Sequence, residues 1–178
     1  MRLDTYHLLL SELARRHKAI GATPQNGRFS RIFISADPVQ KQLDLLQFQN
    51  NQRSGLKAPA GQPYLVAENY QVDYGDNQGD YLSREFSAAY LVLQRVADVQ
   101  DYAARDRAVA SCETIAEQLL GALVVQLRAE HQADVSVRDA WLEHIGPLID
   151  TSVGVRLNFN WSEPATQELT YDPDHFTE

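Results

Sequence analysis

The chain has 178 residues, 44% of them hydrophobic, and a formal net charge of -8. That length fits one domain, with or without arms, and the acidic balance disfavours nonspecific binding to nucleic acid or to an anionic membrane. A single cysteine rules out an intrachain disulfide framework and argues against a cysteine-based zinc site, so a reducing, cytoplasmic history is the simpler reading.

The first residues do not read as a secretion signal. The run "LLL" at 8–10 is too short for an apolar h-region, and the charged "SELARRHK" follows at once. No continuous apolar run approaches the roughly 18 residues of a membrane span, so a soluble protein is expected. Residues 2–20 instead read as an amphipathic helix. Leu3, Tyr6, Leu10, Leu13, His17 and Ile20 fall on one stripe, and Arg15, Arg16 and Lys18 suit the negative end of the helix dipole. Gly21 and Pro24 supply the stop.

"RFSRIFISA" at 28–36 reads as a strand. "DPVQKQLDLLQ" then offers Asp37 as a cap and Pro38 in the first turn of a short helix, although the apolar run in 37–49 suits a strand equally. Residues 50–63, "NNQRSGLKAPAGQP", form a loop by composition. Segments 64–75 and 80–98 read as two strands of an antiparallel hairpin about the turn "GDNQGD". Tyr64, Val66, Tyr70, Val72 and Tyr74 are expected on one face of the first. "AAYLVL" in the second is apolar on both faces, as in an interior strand.

Residues 102–130 carry the strongest helical pattern, a stripe of Val109, Cys112, Ala116, Leu119, Leu123 and Leu127 widened by Ile115, Leu120 and Val124. Asp101 is the expected cap, and Gly121 suggests close packing against a neighbour. "AWLEHIGPLI" reads as a strand that turns or bulges at Gly146-Pro147. Residues 153–161, "VGVRLNFNW", alternate without a break, with Val153, Val155, Leu157, Phe159 and Trp161 on one face. Burying five such side chains is worth on the order of 7–15 kcal/mol before ordering entropy is subtracted, so that face must be covered. The expected fold is α+β, one mainly antiparallel sheet covered on one face by the N-terminal helix and the long central helix. The single domain would span 1–162, with a polar, proline-broken tail over 163–178.

The chain holds no phosphate-binding glycine loop, no G-x-S-x-G elbow and no H-E-x-x-H. Asp73, Asp76, Asn77 and Asp80 crowd one turn but lack the spacing of a calcium loop. Cys112 lies on the apolar stripe, where an inert thiol is expected. No catalytic, cofactor or metal-binding residue is assigned.

The order of elements carries a resemblance. "NNQRSGLKAPAGQPYLV" leads into the first long strand, "FSAAYLVLQRVADVQDYAARDRAVASCETIAEQLL" runs from strand into helix, and "HIGPLIDTSVGVRLNFNWS" closes the sheet. This arrangement resembles the tail-terminator and head–tail joining (neck) proteins of tailed bacteriophages, and related proteins of prophages and contractile injection machines. The resemblance implies a non-enzymatic structural subunit without cofactor. It would form a homo-oligomeric ring, often a hexamer, that caps a tail tube and meets neighbouring tail-tube or neck proteins. It implies assembly in the bacterial cytoplasm and a place in the virion or a tail-like particle, with no specific nucleic-acid binding and no membrane. The candidate subunit-interface residues are Arg53 and Lys57 on the long loop, Arg156 and Asn158 on the polar side of the last strand, and Tyr171 and Phe176 in the tail. The alternative is a small cytosolic binding or regulatory α+β domain. An enzyme assembled from Asp73, Glu85, His131 and His144 ranks third.

Overall fold

The computed structural model describes residues 1–33, 58–76, 78, 81–148, 151–172 and 174. The readings for 34–36 and 37–49, most of the long loop, and Asn77 and Asp80 of the turn lie outside the described residues. The elements in chain order are α1 (Leu3–Arg16), β1 (Phe29–Ile32), β2 (Pro63–Glu68), β3 (Gln71–Asp76), β4 (Leu82–Arg95), α2 (Tyr102–His131), β5 (Asp134–Ile145), β6 (Ser152–Pro164) and the short α3 (Thr166–Leu169). Six strands form one sheet in the order β1-β2-β4-β6-β5, with β3 also on β4. Every pairing is antiparallel except β1 with β2. The fold is α+β, as expected.

Strands β4 and β6 form the centre, pairing without interruption from Ser83 opposite Pro164 to Arg95 opposite Ser152. The alternation at 153–161 does what burial requires of it. Val155, Leu157, Phe159 and Trp161 join the main core with Phe86, Tyr90 and Val92 of β4, while Val153 packs with Val96 and Ala108. Both helices cover this face. Helix α1 contributes Tyr6, Leu10 and Leu13, and α2 contributes Cys112, Ile115, Leu119, Leu123 and Leu127. Trp161 stacks on Phe86 at 4.6 Å between ring centroids and on Phe159 at 5.4 Å. The Tyr90 hydroxyl donates to the Ala116 carbonyl at 2.7 Å, tying β4 to α2.

Helix α2 starts where its cap predicts. The Asp101 carboxylate accepts from the Ala104 amide at 2.9 Å, and Gln132 ends the helix in the left-handed conformation. By length and composition alone α2 is apolar enough to cross a membrane, which the continuous-run criterion missed. Here its stripe lies on the sheet. Helix α1 is shorter than expected, ending at Arg16, although Ile20 is still buried and Gly21 takes a positive φ of 52°.

Two strands depart from simple alternation. Residues 64–75 form β2 and β3 rather than one strand, because one extra residue is inserted between Ala67 opposite Tyr90 and Gln71 opposite Ser87. That bulge exchanges the faces. Tyr64 and Val66 pack with Leu91 and Leu93 on the side away from the helices, whereas Tyr70 and Val72 pack against the main core. The expectation of a shared face fails for this reason. Strand β5 starts earlier than expected, at Asp134. Its irregularity lies not at Gly146-Pro147, where the strand has ended, but between Ser136 opposite Asn160 and Trp141 opposite Asn158. Four residues there stand against one of β6. The polar tail begins within β6, and its next residues are pinned: Ala165 N–H donates to the Leu82 carbonyl at 2.8 Å, and Leu82 N–H to the Thr166 hydroxyl at 3.1 Å.

Candidate functional site

Arg156 and Asn158 are engaged within the chain. On the side of the sheet away from the helices, Arg156 makes a two-pronged bond to Glu68, Nε to Oε1 at 2.6 Å and Nη2 to Oε2 at 2.8 Å. Its Nη1 donates to Asn158 Oδ1 and lies 3.6 Å from Glu143. The Glu68 hydrogen bonds push the guanidinium pKa up. Glu68 and Asn158 are buried, so breaking this pair by removing one partner would strand a charge. Asn158 Nδ2 has no partner among the described residues. Tyr171 is exposed beyond α3. Arg53, Lys57 and Phe176 lie outside the described residues.

A second polar knot closes the far end of β6. Glu163 is buried and receives the Met1 amino group, Trp161 Nε1 at 3.0 Å and Arg84 Nη2 at 3.5 Å, and Arg84 also reaches Glu168 at 3.2 Å. An open polar groove of about 600 Å³ lies over it, lined also by Glu130 and His131. Its acids and bases are largely spent on one another. Of the residues weighed as an enzyme, His144 lies apart from Asp73 and Glu85. Asp73 and Glu85 face each other across β3 and β4. His144 pairs opposite Val155, while Glu85 pairs opposite Ser162. Seven residues of β6 separate those rows, about 23 Å at strand spacing. Among the described residues no three of His, Cys, Asp and Glu converge to hold a metal ion. Burial, reinforced by Glu113, pushes the Cys112 thiol up to about 12, which suits an inert core thiol.

What remains open lies between α2 and the edge strand β5. A groove of about 420 Å³ runs there over Leu120, Val124, Leu142 and Leu157, with Glu117 on its rim. Val137 and Trp141 are more than half exposed beside it, as is Val125 on α2. Toward the N-terminal end of α2 lies a second, more polar groove of about 370 Å³, where His144 meets Glu113 at 2.6 Å. Gly121 lines the apolar part, and a side chain added there would meet nothing within 4 Å. The expectation of close packing at this glycine is therefore corrected: it opens space rather than filling it. Sequence reading missed this groove because the loop-out in β5 hides the strand's period. The signal available was the exposed glycine beside Leu120 and Val124 on a helix that is otherwise rich in side chains.

Comparison with known proteins returns no matching family model, no matching curated protein and no matching solved structure.

Proposed function

We propose that this chain is a non-enzymatic structural subunit of a phage or prophage-like tail or neck, a ring-forming tail terminator or head–tail connector. The observation that carries the reading is the outer edge of the sheet. Strand β5, twelve residues long, pairs only with β6 among the described residues, and it borders an open apolar groove with exposed Val137 and Trp141. A bare edge beside apolar surface recruits another chain. The order of elements adds the resemblance to ring-forming neck proteins. The charged residues nearest the centre of the sheet hold the fold together instead of facing a substrate.

The test is mass in solution by light scattering across protein concentration, with negative-stain imaging of the concentrated sample. The ring reading expects a closed particle of defined subunit number. The groove also favours a second reading, a small binding domain that takes an apolar ligand. That reading expects a monomer or dimer at every concentration, with bound ligand released on denaturation.

A further inference from the structure

We infer, on the basis of that ring reading, that the joint between neighbouring subunits forms when the α1/β1 edge of one copy docks into the α2/β5 groove of the next, with Arg31 of the first facing Glu117 of the second.

The sheet order places β1 and β5 on opposite edges, and the chain segments that contain those edges differ in net charge. Over residues 1–33 basic residues outnumber acidic ones six to two. Over residues 102–145 acidic residues outnumber basic ones seven to four. A head-to-tail contact brings two different surfaces together and closes into a ring if its rotation permits. That difference in charge favours such a contact, and it penalises pairing of two like edges.

Each edge also presents an apolar element of matching kind. On the basic side, Phe33 is 63% exposed and Leu8 70% exposed. Phe33 borders His7, whose ring lies 6.0 Å away and whose pKa is lowered by burial and then by the charge of Arg31. Phe33 and Arg31 thus both lie near His7, one an exposed apolar knob and the other a cation. On the acidic side, the groove floor is apolar and Glu117 stands on its rim. Neither Arg31 nor Glu117 has an ion-pair partner among the described residues, whereas the neighbouring Glu113 is held by His144. Docking would bury Phe33 on Leu120, Val124 and Leu142 and pair the two charges. Gly121 keeps the way in open.

The experiment measures association of the full chain by light scattering in low salt, using Arg31→Glu, Glu117→Lys, their combination in one chain, and an equimolar mixture of the two single variants. All the substituted side chains are exposed, so folding is expected to survive, and circular dichroism checks it. Each single reversal is expected to weaken assembly about tenfold. The double variant and the mixture restore it, since both then juxtapose opposite charges. A fourth variant, Gly121→Gln, fills the groove without changing charge and is expected to block assembly. An assembling wild type whose variants all assemble equally well would overturn this joint and leave the ring reading standing. A wild type that stays monomeric at every concentration would overturn both.

Discussion

The centre of the sheet and its β5 edge obey different rules. Between β4 and β6 the register never slips, and β4 is buried on both faces from Ala88 to Leu93. At β5 the register jumps, most residues are exposed, and a groove stays open against α2. The same long helix covers both regions. The difference lies in the strand beneath it. Unbroken alternation lets every second side chain reach the helix, so the layers close. Three extra residues in β5 push Val137 and its neighbours outward, and the layers part. The core specifies the fold, and the irregular edge leaves surface for something else.

The sharpest break in this contrast comes at the centre. Trp161→Ala removes a stacked ring and the donor to buried Glu163, and a loss of about 4 kcal/mol in unfolding free energy is expected by urea titration. Truncating Trp141, which is 52% exposed at the edge, is expected to change stability by less than about 1 kcal/mol. If the two losses were equal, the distinction between centre and edge would fail.

A smaller effect of the same sign is expected at Gly154. A methyl group there would press into the Val92 carbonyl oxygen and lie 3.0 Å from Leu93 Cα of the neighbouring strand β4. Gly154→Ala is expected to destabilise by about 2–3 kcal/mol. Gly121→Ala, in open space on a helix, is expected to stabilise by up to about 1 kcal/mol. Opposite signs for two glycine-to-alanine changes, read as thermal midpoints, sharpen the comparison further.

The smallest effect concerns pH. His7 is buried and its Nε2 lacks a partner among the described residues. Burial and then the charge of Arg31 lower its pKa below the usual 6.5. A folded pKa below the unfolded one means that the unfolded chain takes up the proton first. The contribution to stability is complete above pH 6.5 and is lost as pH falls through the lower folded value. Stability measured between pH 7.5 and pH 5 should therefore decline less steeply in His7→Gln than in wild type.

Much of the centre was legible in the sequence, and for a local reason. The faces of β6, the double-sided burial of β4, the α2 stripe and the Asp101 cap each depend on residues a few positions apart. The edge was not legible to the same degree. One inserted residue near Asn69 reversed the faces of Tyr64 and Tyr70, and no composition signal marks it. The loop-out at 137–140 broke the period of β5, so the strand's start and its groove were missed. Arg156 was read as a polar side chain facing outward because Glu68, its partner, lies 88 positions away in the chain. Of the candidate interface residues, Arg156 and Asn158 hold the sheet together, Tyr171 is exposed, and the groove residues Glu117 and Gly121 were not among them.

The central claim is that the closed centre stays within the subunit while the two outer edges join copies. Amide hydrogen exchange, compared between dilute and concentrated protein, tests it most directly. Slower exchange on concentration is expected in β5, the adjoining face of α2, and the α1/β1 edge, with β4 and β6 already slow and unchanged. Exchange that is the same at both concentrations, or slowed at the β3–β4 turn instead, would contradict it.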